Sequence, residues 1–134
     1  MPTPGTPEWD NAYTFLQQVE PPDIPPGSSA MTLSIEYAPG DHGAPPHRHS
    51  GPVFGYVAEG EMLFELEGEP ERVIHAGEAF WEPGGDVIHY QDGNNRDDIS
   101  LRFIVTMLCA PDVPMLTFVD DDELVARQRR RAPR

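Results

Sequence analysis

Cysteine is almost missing from this chain. Cys109 stands alone among 134 residues, which excludes an intrachain disulfide framework, and its place in the apolar run Phe103 to Ala110 marks a core residue rather than a nucleophile. Long hydrophobic runs are missing too. No apolar stretch approaches the roughly 18 residues of a membrane span, and Met1-Pro2-Thr3-Pro4-Gly5 lacks the charged and apolar parts of a secretory signal, so a soluble, cytoplasmic protein is expected. Basic residues are few: 9 Lys and Arg against 23 Asp and Glu give a net charge of −14. Five of the nine bases (Arg127, Arg129, Arg130, Arg131 and Arg134) fall in the tail, so the body is more acidic still. Neither nucleic acid nor a membrane surface is an expected partner for such a body, which leaves a small-molecule substrate.

Extended helical periodicity is the last absence. Sixteen prolines and twelve glycines cut the chain into pieces too short for a major helix, and an all-β fold follows. One domain is expected, since a chain of this size buries about two-thirds of its unfolded surface in a single core. Residues 1–8 read as a disordered lead-in and residues 9–28 as an N-terminal arm, in which Tyr13 to Val19 is a strand or short helix stopped by the Pro-rich Pro21 to Gly27. Met31, Leu33, Ile35 and Tyr37 alternate with polar residues, the signature of a half-buried strand. Val53 to Ala58 and Glu61 to Glu67 are expected to form a hairpin about a Glu59-Gly60 turn. Further strands are read at Arg72 to His75, Ala79 to Glu82, Val87 to Gln91 and Ser100 to Ala110. In the tail, residues 120–134, Asp120, Asp121 and Asp122 precede Leu124-Val125-Ala126-Arg127, acids before bases along a short helix, matching its dipole.

What the chain does hold is a histidine pair. His47 and His49 flank Arg48, and on an extended backbone residues i and i+2 share one face with Cα atoms roughly 7 Å apart, a spacing that places two imidazoles on one metal ion. His89 follows the glycine-rich corner Pro83-Gly84-Gly85-Asp86 on a short extended segment of its own.

These two stretches resemble the paired motifs of the cupin superfamily. Gly40, His47, His49 and Gly60 fit the first motif, with Gly40 one residue farther off than it asks, and Gly77, Pro83, Gly85, His89 and Asn94 loosely follow the second. The resemblance spans residues 30–110 and implies a single-domain cupin jelly-roll barrel over residues 29–119 with His47, His49 and His89 as metal ligands. It also carries two departures. Val53 occupies the first motif's carboxylate position, implying a three-His site without the usual Glu, a pattern known among cupin dioxygenases. One extra residue precedes His89 and another follows it, so a bulge or loose loop at the corner must keep that side chain inward. Three imidazoles suit Fe, Mn, Ni, Cu or Zn as a divalent ion.

Three other polar residues are candidates for catalysis: Glu82 as a base of raised pKa or else a surface carboxylate at a strand end, and Tyr56 and Arg102 as groups orienting substrate inside the barrel or as rim residues. His42 and His75 read as solvated. The functional expectation is a metal-dependent enzyme, possible chemistries being dioxygenation or a non-oxidative isomerisation or cyclisation, with a metal-free ligand-binding cupin as the alternative. A homodimer joined through sheet faces or the arm from Trp9 to Val19 is also expected.

Overall fold

The computed structural model describes residues 12–20 and 22–133. Nine strands run in chain order: β1 (Ser29–Tyr37), β2 (His47–His49), β3 (Val53–Glu59), β4 (Glu61–Leu66), β5 (Arg72–His75), β6 (Ala79–Glu82), β7 (His89–Gln91), β8 (Leu101–Cys109) and β9 (Leu116–Phe118), followed by helix α1 (Asp121–Ala126) and a 3-10 turn at Gln128–Arg130. They form two sheets, one ordered β1-β8-β3-β6 and the other β5-β4-β7-β2-β9. All pairings are antiparallel, as a jelly roll requires. Among the described residues no helix is long and apolar enough to cross a membrane.

The alternation in β1 and β8 sets the core. Leu101, Phe103, Val105, Met107 and Cys109 are buried while the residues between them are partly exposed, and β1 lies fully in register against them from Ser29↔Cys109 to Tyr37↔Leu101. Phe64 of β4 and Phe80 of β6 meet in the centre, ring centroids 5.2 Å apart. Each such side chain contributes about 1.5–3 kcal/mol by leaving water.

Two expectations change here. The hairpin predicted between Val53 to Ala58 and Glu61 to Glu67 does not form: β3 pairs with β6 and β8, whereas β4 pairs with β5 and β7. Glu59-Gly60 is instead a corner at which the chain crosses from one sheet to the other, so that Val57 and Met62 both face the core from opposite walls. Gly60 is needed there: its φ is +83°, and a Cβ would lie 2.4 Å from the Ser100 carbonyl oxygen. The second change concerns residues 13–19, which carry neither strand nor helix. They run as irregular chain beside the outer face of the β1-β8-β3-β6 sheet, where the Gln17 side chain donates to the Phe80 carbonyl at 2.8 Å. Trp9 and the lead-in lie outside the described residues.

The C-terminal segment covers the outer face of the other sheet. Asp120 caps α1 by accepting from the Glu123 amide at 2.8 Å, and the acids fall in the first turn as expected, but the arginines lie past the end of α1. Their role is different: Arg127 is bound to Glu67 and Asp86, and Arg131 is bidentate on the buried Glu65 at 2.7 and 2.8 Å. Ile88, Tyr90 and Val119 are buried beneath them with Leu124.

Candidate metal centre

The site grows from two registers. In the five-stranded sheet His47 is the direct cross-strand partner of His89, and in the four-stranded sheet Val53 is the partner of Glu82. Residues facing each other across an antiparallel pair point to the same side. His49 follows His47 on the same face of β2, and both are buried. The outcome is a group of four donors, His47, His49, Glu82 and His89, whose ligand atoms all lie within 4.8 Å of one another.

His89 reaches this group despite the extra residue before it. Gly84 and Gly85 adopt φ of +73° and +63°, and β7 enters its pairing with β4 through a register irregularity between Glu65 and Leu66. At Gly84 a Cβ would stand 2.1 Å from the Gly51 carbonyl oxygen, so this corner packs directly on the chain just past His49. The Gly85 amide then donates to the His49 carbonyl at 2.8 Å, tying the corner to β2.

The ring nitrogens are prepared from outside. His47 Nδ1 lies 2.8 Å from the Pro45 carbonyl oxygen and His49 Nδ1 lies 3.2 Å from that of Met115. A carbonyl only accepts, so both Nδ1 atoms carry the proton and both Nε2 lone pairs are left for the centre, the usual support behind a metal-bound imidazole. His49 Nε2 lies 3.6 Å from Glu82 Oε1, and His89 Nδ1 lies 3.0 Å from the same oxygen. Yet neither nitrogen of His89, whose residue is 3% exposed, makes an aligned hydrogen bond. A buried imidazole with both nitrogens unaligned, beside three further donors, fits a group that converges on an ion.

The electrostatics agree. Burial pushes the Glu82 carboxyl up, but the adjacent His89, with His49 and His47, outweighs burial and holds it below its ordinary value. His89 is the mirror case, lowered by burial and raised further by Glu82, ending above its ordinary value. His47 is lowered, by burial first and then by His89. The contact therefore favours an ionised Glu82 beside a protonated His89. A divalent ion would replace that proton.

This overturns three site expectations. Glu82 is neither a surface carboxylate nor a base of raised pKa: it is 5% exposed and its carboxyl is lowered. It brings back the carboxylate that Val53 lacks, from the strand across from Val53, so the centre is not carboxylate-free. Tyr56 does not enter the barrel. It is 38% exposed and lines a groove on the outer sheet face with Tyr13, Phe15 and Ile104. Arg102 shares that outward parity on β8 and pairs with Glu59 at 3.2 Å. His42 is exposed, and exposed His75 lies 4.0 Å from Glu61.

Above the donors is a cavity of about 90 Å³ whose walls are mainly apolar, from Leu33 and Ile35 of β1, Val53 of β3 and Phe103, Val105 and Met107 of β8. Sequence reasoning missed two polar residues at its edge. The Tyr37 hydroxyl donates to Asp92 Oδ2 at 3.2 Å, and the Ala44 amide donates to Asp92 Oδ1 at 2.9 Å. Burial first, then Asp92, raises the Tyr37 pKa, so the hydroxyl stays protonated. Asp92 lies three residues past His89, a spacing that carries no meaning until Tyr37 is seen beside it.

A protein-family model described as the cupin domain matches residues 33–107. This chain belongs to the cupin family. Among solved structures, this cupin is similar to an oxalate oxidase with a TM-score of 0.55 and 28% identity, over 67% of this chain and 46% of that one. It is also similar to a cupin-like protein from Thermotoga maritima MSB8, TM-score 0.57 and 18% identity over 78% and 75% of the two chains. A DMSP lyase from Ruegeria pomeroyi DSS-3 matches with TM-score 0.55 and 20% identity over 68% and 43%. The chain thus spans less than half the length of this oxalate oxidase chain and of this DMSP lyase chain. No curated protein matches it in sequence.

Proposed function

We propose that this cupin is a metal-dependent enzyme acting on a small organic molecule, with a divalent ion held by His47, His49, His89 and Glu82. The observation that carries the proposal is the convergence of four buried donors, within 4.8 Å of one another, beneath a small apolar cavity. Three imidazoles and one carboxylate suit Fe(II), Mn(II), Ni(II), Cu(II) or Zn(II) better than the all-oxygen surroundings preferred by calcium and magnesium. When bound, such an ion supplies Lewis acidity toward substrate oxygen atoms or, if it is redox-active, the means to use dioxygen.

The chain's own residues do the rest. Pro45 and Met115 carbonyls hold two imidazoles in the donor tautomer, Glu82 offsets one unit of the ion's charge, and the β1 and β8 side chains keep bulk water from the substrate. Dioxygenase chemistry is the finer reading, and the 28% identity to an oxalate oxidase supports it only as far as oxidative chemistry; isomerisation or cyclisation would use the same donors without electron transfer.

The metal content of protein purified without added metal, with His89→Ala as control, tests the proposal. Stoichiometric metal in the wild type, lost in the variant, is expected. A wild type that takes up no metal under any loading condition leaves the Glu82–His89 contact as a buried ion pair and makes the barrel a metal-free binding module.

A further inference from the structure

The cavity over the donors has walls of a particular charge. Apart from the four donors, the charged side chain that lines it is Asp92, buried at its edge, with one carboxylate oxygen taken by Tyr37 and the other by the Ala44 amide. No arginine among the described residues lines it, and the chain contains no lysine at all. Nearby arginines are turned outward and held there: Arg48 by Glu123, Arg127 by Glu67 and Arg131 by Glu65.

Charge counting then limits the ligand. A divalent ion, three neutral imidazoles and ionised Glu82 leave one net positive charge at the donors, and Asp92 at the edge offsets it further, so the site has room for at most one anionic group, placed on the ion itself. A second anionic group would lie against apolar side chains in a small buried space, with Asp92 as its charged neighbour and no cation to receive it. Size limits it as well. At about 90 Å³ the cavity has room for a compact molecule.

We infer that the site takes a short aliphatic monocarboxylate, with its carboxylate toward the donors and its alkyl part against Leu33, Val105 and Met107, and that it rejects dicarboxylates. The inference rests on the metal reading above and goes beyond it in naming the charge and shape of the ligand. It separates this chain from a protein that acts on oxalate, a dianion, even though an oxalate oxidase is among its structural matches.

The test uses the full chain loaded with Co(II), whose visible spectrum reports both occupancy of the donors and carboxylate binding. Titration with propionate, butyrate and valerate is compared with titration by malonate and succinate, valerate and succinate being close in size. The monocarboxylates are expected to bind about tenfold or more tightly than the dicarboxylates, the scale of one unpaired charge near another. Asp92→Asn, which keeps the shape while removing the charge, is expected to narrow that gap by several-fold. Equal or tighter binding of succinate by the wild type, or a Co(II) spectrum indifferent to every monocarboxylate, overturns the inference while leaving the metal centre standing. Failure of Co(II) to bind overturns the metal reading and this one together.

Discussion

Strand β2 and the corner joining β6 to β7 each supply two of the four donors, but by different means. In β2 the two histidines are set by local stereochemistry, since side chains two apart on one extended strand share a face. At the corner, Glu82 ends a strand of one sheet and His89 begins a strand of the other, and they meet through two registers, Val53↔Glu82 and His47↔His89, joined by two positive-φ glycines. Donors on one strand arrive with the strand. Donors on two sheets arrive only when the barrel has closed, so the second pair makes the centre a property of the whole fold.

The largest effect that follows is on metal binding. Glu82→Gln and His89→Ala should each weaken divalent-ion affinity by at least about a hundredfold, beyond the 10–100-fold typical of losing an outer partner of a ligand. Competition with a chromogenic chelator measures it. Equal affinity in Glu82→Gln would return the centre to β2 and His89 alone.

Val53→Glu tests the register directly. A carboxylate there would face Glu82 across β3 and β6, and two buried like charges should destabilise the metal-free protein by about 2–4 kcal/mol in urea unfolding. Added metal should recover much of that loss. An unchanged urea midpoint would mean that Val53 does not face the donors.

Arg48 offers a smaller and sharper contrast. It sits between the two histidines but points to the opposite side of β2, where it is bidentate on Glu123 of α1. Arg48→Met should release α1, raising amide exchange there, while metal affinity changes by less than about tenfold because no ligand is bonded to Arg48. A loss as large as that of Glu82→Gln would show that the outer clamp positions the donors.

Acid should break the same clamp. The hydrogen bond and charge of Arg48 lower the Glu123 pKa, and those of Arg127 lower Asp86. Both contribute stability that is complete above the ordinary values of 4.5 and 3.8 and lost as pH falls through the lowered ones. Amides of α1 should therefore lose protection on acidification before those of β8, a difference that hydrogen exchange resolves. Simultaneous loss would place α1 and the barrel in one cooperative unit.

Much of this was readable beforehand, for physical reasons. β1 and β8 announce themselves by alternation, and the two motifs by glycines and histidines. What alternation does not reveal is which of its two faces is inside. In β3 the outward set, Phe54 and Tyr56, looks more like a core than the inward set, because Gly55 belongs to the latter; a Cβ there would lie 2.1 Å from Phe80, whose ring takes the place of a side chain. Tyr56 belongs to that outward set, and Arg102, which shares strand parity with Ile104 and Thr106, is likewise outward. The donor role of Glu82 is not legible in the sequence, since its closeness to His89 depends on sheet closure. The outward set on β3 and the arm residues Tyr13, Phe15 and Leu16 form an exposed apolar face, and we propose it as the dimer contact. Light scattering at micromolar concentration should give a dimer, with Tyr56→Glu shifting it to monomer.

The central claim is that Glu82 completes a three-histidine centre in place of the carboxylate missing at Val53. The direct measurement is the metal-to-protein ratio of wild type and Glu82→Gln after identical loading and desalting, with circular dichroism to show both are folded. A stoichiometric ion in the wild type and none retained by folded Glu82→Gln is the predicted result. Equal retention by the two proteins would contradict it.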